Sequence, residues 1–290
     1  MIYDVRQSTI YHYASPVAYA HHVLRLTPID REHQRVHAAT LDITPTPIER
    51  REGQDFFGNR ITWIAFDQPH DTLTVRVAAR IGVDQPVAPS ATPAWEDVRR
   101  AAFACADLSP RAPSHYLFPS RQVSLDPEIR DYAALSFPPG RAVLDGAADL
   151  MNRIKSEFVY EPGATTASTT PPMSFALRRG VCQDFTHIMI SGMRSLGLPV
   201  AYVSGYLRSA QAADQTRLEG ADAMHAWGLV WCGEAAGWIG LDPTNGILAG
   251  TDHVVLAIGR DYADVAPIDG VIFASGAQKL EVFVKVAPVD

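Results

Sequence analysis

Hydrophobic and polar positions alternate along the first part of the chain and turn helical after it. From Met1 to about Asp84, short runs mix β-branched and aromatic residues with polar ones: Tyr3–Arg6, Thr9–Tyr13, Ala39–Ile43, Arg60–Phe66 and Thr72–Val77. Turn residues split them at Thr44-Pro45-Thr46-Pro47, Phe57-Gly58-Asn59 and Asp67-Gln68-Pro69. Strand-length runs broken by such turns predict an antiparallel β-domain. Gln85 to Pro93, with Pro86, Pro89 and Pro93, reads as a linker. Beyond it, apolar residues recur at three- and four-residue spacing, the period of one helix face. This predicts helices over Ala94–Ala106, Pro127–Leu135 and Ala142–Phe158, the last with Leu144, Ala147, Ala148, Met151, Ile154 and Phe158 as its stripe. Glu161 to Pro172, EPGATTASTTPP, is a loop by composition. The strongest helical pattern then begins at Cys182, carries Phe185, Ile188, Met189, Gly192, Met193 and Leu196 on one face, and ends at Gly197 and Pro199. Strands are expected over Val200–Leu207, Met224–Cys232 and Gly237–Asp242, with a polar insertion at Ser209–Asp222 and late strands at Val254–Ile258 and Leu280–Val286.

The position of Cys182 makes it more than a small apolar residue. At a helix start, free backbone N–H groups and the positive end of the helix dipole favour a thiolate. The hairpin downstream offers partners. A four-residue loop at Gly233–Ala236 sets Cys232 opposite Gly237 and Trp227 opposite Asp242, which makes His225 the diagonal neighbour of Asp242 on the same face. Diagonal neighbours are within reach of long side chains. A thiol, an imidazole and a carboxylate are the three parts of nucleophilic acyl transfer: the base takes and returns the proton, and the acid fixes its tautomer. Cys182, His225 and Asp242 fill those roles. The Cys182 backbone N–H is the natural first oxyanion donor, and Gln183, Tyr160 and Trp227 are candidates for the second. Asp184 reads as a helix N-terminal carboxylate and His187 as a structural histidine; Cys105 and Cys232 read as packing residues. The histidines of the first part, His12, His21, His22, His33 and His37, have no metal-ligand spacing, and no metal or organic cofactor is expected.

Composition narrows the classes. A chain of 290 residues that is 47% apolar and 20% charged has ample core for a globular protein. Its formal charge of −7 disfavours a nucleic-acid backbone as partner. Three scattered cysteines do not make a disulfide framework. The beginning MIYDVRQSTIYHY is unlike a signal peptide, and no run approaches the ~18 apolar residues of a membrane span. The expectation is a cytoplasmic protein that does not enter a membrane.

Taken together, Gly180–Phe185, Arg194–Pro199, Tyr202–Tyr206, His225-Ala226-Trp227, Asp242–Asn245 and Gly259–Val265 resemble the bacterial transglutaminase-like family of cysteine proteases, and Tyr3–Pro28 resembles that family's N-terminal β-domain. The resemblance implies an α+β fold in which a papain-like core packs the cysteine helix on an antiparallel sheet carrying the histidine and aspartate. It also implies Cys182 as nucleophile, His225 as base and Asp242 as orienting acid. The domain reading is residues 1–84 for the β-domain, 85–93 for the linker and 94–290 for the catalytic domain, whose sheet the late strands would complete. Three functions follow: cysteine-dependent hydrolysis of an amide, peptide or isopeptide bond in a protein or peptide substrate; acyl transfer to an amine, as in a protein-glutamine transglutaminase; or a non-catalytic binding module.

Overall fold

The computed structural model describes residues 1–208 and 224–289; the expected insertion at Ser209–Asp222 lies outside them. Six strands open the chain: β1 (Ile2–Val17), β2 (Tyr19–Leu24), β3 (Gln34–Thr44), β4 (Glu49–Gln54), β5 (Arg60–Phe66) and β6 (His70–Val83). Residues 84–94 form no helix or strand before α1 (Trp95–Ala104), α2 (Pro127–Ala134) and α3 (Val143–Glu157). A two-residue strand β7 (Val159–Tyr160), α4 (Pro171–Leu177) and β8 (Arg179–Gly180) lead into α5 (Cys182–Ser195). After α5 come β9 (Val200–Leu207), β10 (Met224–Trp231), β11 (Trp238–Asp242), β12 (Ile247–Leu248) and β13 (His253–Gly259). A short α6 (Tyr262–Val265), β14 (Ile268–Phe273) and β15 (Gln278–Val289) close the chain.

These elements make two packed units. In the first, the four-stranded sheets β15-β1-β6-β3 and β14-β2-β5-β4 enclose a core of Val17, Leu24, Leu26, Ile64, Phe66, Leu73 and Val75. The period-2 burial of β6, where Leu73, Val75, Val77, Ala79, Ile81 and Val83 point inward, is what a half-buried strand requires. In the second, the antiparallel sheet β12-β11-β10-β9-β13 carries α5 against β9 and β10, with α2, α3 and α4 around the helix. Its core joins Ile154, Phe185, Ile188, Met189, Met193, Val200, Val230 and Leu241. Cysteine helix on antiparallel sheet is the α+β arrangement expected.

Two expectations need correction. Of the late strands, only β13 joins the core sheet. β14 pairs with β2 and β15 pairs with β1 along Ile2–Tyr13, so the end of the chain returns to the first unit. A strand's alternation tells which of its faces is buried but not which neighbour it pairs with, and Gln278–Val289 finds a free edge on β1. The second correction concerns Pro171 and Pro172, read as the end of a loop. They open α4, as proline does in a first helical turn, where its missing N–H goes unneeded.

The units meet at β9 and β13, where Tyr3, Val5, Ile81 and Val286 pack against Tyr206, Val254 and Leu256. β13 is the edge of its sheet, and two amide side chains from the first unit cover that edge. Gln34 donates Nε2 to Val255 O (2.9 Å) and accepts from Val255 N (2.8 Å). Asn59 does the same for Ile258, at 2.8 Å in both directions. Each amide supplies the donor and acceptor of an absent strand, so the edge-facing backbone groups of Val255 and Ile258 are satisfied.

Candidate active site

Cys182 is half-buried at the first position of α5, so its own N–H has no acceptor within the helix. The turn before it is shaped by Asp184, whose Oδ2 accepts from Val181 N (2.9 Å) and from Thr165 Oγ1 (2.6 Å). Asp184 is buried and its pKa is raised by that burial, with the two hydrogen bonds opposing. Gly180 makes room for it: a Cβ there would lie 2.5 Å from Asp184 Oδ2. Asp184 is thus the helix N-terminal carboxylate expected of it.

Loop 161–170 is fastened over this helix start from two points, Thr165 on Asp184 and the Ala167 carbonyl, which accepts from Gln183 Nε2 (3.0 Å). Gln183, a candidate oxyanion donor, gives one N–H of its amide to the loop. Tyr160, a second candidate, is half-buried in β7, which runs parallel to β8 with Tyr160 opposite Gly180 and its ring edge-on to Phe185. Trp227, the third, is buried, its ring stacked 6.1 Å from His225 and edge-on to His253 at 5.1 Å. It forms a wall behind the histidines. Gly205, opposite His225 on β9, lets that indole lie flat over the sheet, since a Cβ at 205 would come within 2.6 Å of it.

The β10–β11 hairpin has the register expected from its loop: Trp231 lies opposite Trp238, Gly228 opposite Leu241, and Cys232 N donates to Gly237 O at 2.8 Å. That register brings His225 Nε2 to 2.8 Å from Asp242 Oδ2, with both side chains fully buried. A carboxylate only accepts, so Nε2 carries the proton. The other ring nitrogen, Nδ1, is buried without an aligned hydrogen bond and has the Cys182 thiol beside it. Burial alone would lower the His225 pKa, but the charge and hydrogen bond of Asp242, aided by Cys182, raise it to about 10. Burial would likewise raise Asp242, yet His225 and His253 hold it far below the usual carboxylate range. Asp242 is oriented from all sides: Oδ1 accepts from Thr244 N (2.9 Å) and Asn245 N (3.2 Å), and Oδ2 also accepts from Asn245 Nδ2 (2.8 Å). The structure brings Cys182, His225 and Asp242 to one place.

Two family descriptions match this chain. The bacterial transglutaminase-like N-terminal region matches residues 3–82 and the transglutaminase-like superfamily core matches residues 137–243. A Mycobacterium tuberculosis protein is 35% identical over 298 residues, covering 99% of this chain and 93% of its own length. The chain belongs to the bacterial transglutaminase-like family. A Mycobacterium leprae relative is 30% identical over 283 residues, covering 97% of each chain. The crystal structure of a Cytophaga hutchinsonii protein, described as a candidate cysteine protease, superposes with a TM-score of 0.74 over 100% of this chain and 92% of that one, at 22% identity. That likeness is one of fold. In this transglutaminase-like core the cysteine, histidine and aspartate positions all fall inside the matched segment 137–243.

His253 was not among the residues singled out from sequence, yet its Nε2 lies 3.3 Å from the Asp242 oxygen that His225 also engages. No motif marked it; the one signal was a histidine opening a strongly apolar strand. His187, by contrast, is the structural histidine expected. Its Nε2 accepts from Tyr262 N (3.2 Å), and burial lowers its pKa to about 4, with Asp261 opposing. Of the other thiols, Cys232 is fully buried and pushed up to about 12 by that burial, and Cys105 is half-buried outside the site. Among the described residues no helix is long and apolar enough to cross a membrane.

Proposed function

We propose that this chain is a cysteine hydrolase that cleaves an amide, peptide or isopeptide bond of a protein or peptide through a thioester acyl-enzyme. One observation carries the reading. His225 gives Nε2–H to a buried, fully oriented carboxylate and keeps Nδ1 on the side of a thiol at a helix N-terminus. His225, raised by Asp242, holds the Cys182 proton as an imidazolium beside the thiolate; Sγ attacks the carbonyl carbon, and the imidazolium gives that proton to the leaving amine as the C–N bond breaks. The Cys182 N–H at the start of α5 is set to receive the developing oxyanion, with Gln183, Tyr160 and Trp227 the side-chain candidates for a second donor. Water then enters, His225 takes its proton, and the thioester is cleaved to a carboxylate and free thiol. Asp242 supports the imidazolium present in both halves.

The test is a turnover assay on glutamine- and lysine-containing peptides with a fluorescent primary amine present. The reading expects a carboxylate product, no amine incorporation, and loss of turnover in Cys182→Ala without loss of fold. Incorporated amine would replace hydrolysis by transamidation. Equal turnover of Cys182→Ala and the parent would sink the mechanism altogether.

A further inference from the structure

We propose that His253 is a positioning residue for the triad: through Nε2–H it is a second imidazole donor to Asp242, locking the carboxylate that orients His225. The inference rests on the active-site reading above and adds a residue to it. His253 opens β13 and is buried. Its Nδ1 accepts a hydrogen bond from Gly250 N at 3.2 Å, so in the neutral ring the proton sits on Nε2. That Nε2 points at Asp242 Oδ2, 3.3 Å away, which already accepts from His225 Nε2 at 2.8 Å. With the donors on Oδ1 and the Asn245 amide, both carboxylate oxygens are held by several donors.

The ring is itself held in place. Trp227 meets it edge-on, His253 N donates to Gly250 O at 3.0 Å, and Gln34 clamps Val255 two residues along the strand. In the sheet, β9 and β10 separate β13 from β11. His253 opens β13 and Asp242 ends β11, and their side chains meet across the two strands between them, beside the Trp227 indole. The titratable groups facing this cluster are His225, Asp242 and, beyond His225, Cys182. Asp252, the chain neighbour of His253, is engaged by Arg208 (2.7 Å) and the Tyr3 hydroxyl (3.1 Å).

The same three side chains place a ligand atom each within 4.8 Å of one another, a two-histidine, one-carboxylate set. A cation there would need both Nε2 lone pairs, and freeing that of His253 would put its proton on Nδ1, against the Gly250 N–H. Hydrogen bonding, not metal ligation, suits the tautomer this site imposes.

The experiment has two parts. In the parent labelled with ¹⁵N-histidine, long-range ¹H–¹⁵N spectra should show the His253 proton on Nε2, with the Nε2 signal moving in Asp242→Asn. Then Cys182 is titrated with dipyridyl disulfide, a reagent usable at acid pH, in His253→Leu and His253→Gln. Leucine fills the space without a donor, whereas glutamine can donate from nearly the same place. His253→Leu should move the acid limb of Cys182 reactivity upward by about one pH unit, a tenfold loss of rate on that limb, and His253→Gln should restore most of it. An Nδ1–H tautomer, Zn²⁺ shifting both histidine signals together, or a folded His253→Leu with the parent's profile would each overturn the inference. If His253→Leu does not fold, the parent spectra and the glutamine variant decide. Should Cys182 in the parent show no coupling to His225, the active-site reading fails, while the tautomer of His253 and its response to Asp242→Asn still report on this contact.

Discussion

Replacing Asp242 by asparagine changes one oxygen into an NH₂ group at a site where everything around it donates. Oδ2 accepts from His225, His253 and Asn245, and Oδ1 from the N–H groups of Thr244 and Asn245. With the asparagine oxygen on the Oδ1 side, its amide faces three donors; flipped, it faces two. His225 can escape only by moving its proton to Nδ1 so that Nε2 accepts, and in that tautomer it cannot take a proton from Cys182. Two magnitudes follow. Removing one partner of a buried ion pair costs about 3–5 kcal/mol, which for a chain of this size is a fall in Tm on the order of 10 °C. The wrong tautomer lowers turnover by about 10⁴-fold in the serine-protease precedent, and a loss of similar order is expected here.

The stability difference between parent and Asp242→Asn should also depend on pH. Asp242 is depressed in the folded state, so its contribution is present above the unfolded carboxylate pKa of about 4 and is lost as pH falls below it. His225 is raised to about 10, so its contribution is present below the unfolded value of about 6.5 and is lost as pH rises toward 10. The difference should therefore be largest between about pH 4 and 6.5 and should shrink on both sides. Urea denaturation followed by tryptophan fluorescence at pH 3, 5.5 and 9 measures it. A flat difference across that range, or a variant as stable as the parent at pH 5.5, would refute the pairing of His225 with Asp242.

Further outcomes are expected elsewhere. Gly205→Ala places a Cβ against the Val254 carbonyl and 2.6 Å from the Trp227 ring, so a loss of about 3 kcal/mol or more is expected in thermal denaturation; a variant as stable as the parent would contradict the packing over Gly205. Asn59→Ala strands both backbone groups of Ile258 and should cost about 2–4 kcal/mol in urea denaturation. It should also speed proteolysis near β13, and unchanged denaturation and cleavage would show that the amide clamp is dispensable. Cys182→Ala should keep the parent's circular dichroism and Tm within about 2 °C, because the half-buried thiol fills little of the core; a larger fall would make Cys182 a packing residue first.

Much of this was readable before any coordinates. The cysteine helix announces itself through a helical period closed by glycine and proline, and local periodicity is what sequence carries best. The hairpin register followed from counting its loop, since one residue of slip would have put His225 and Asp242 on opposite faces. The destinations of β14 and β15 were not readable, because pairing with β1 and β2 joins segments more than 240 residues apart without any local mark. His253 stayed hidden for a related reason: two strands stand between it and Asp242, so no local pairing marks their contact. Gln183 was named as an oxyanion donor by position; that one N–H of its amide holds the 161–170 loop through Ala167 O was not legible, because the partner is a loop carbonyl with no sequence mark.

The central claim, a working Cys182–His225 pair, is most directly tested by iodoacetamide labelling of each cysteine as a function of pH, in the parent and in His225→Ala. Cys232, fully buried, and Cys105, outside the site, serve as internal references. The account predicts that Cys182 labels fast well below pH 8 and loses that advantage when His225 is removed. Labelling of Cys182 no faster than Cys105, or unchanged in His225→Ala, would contradict it.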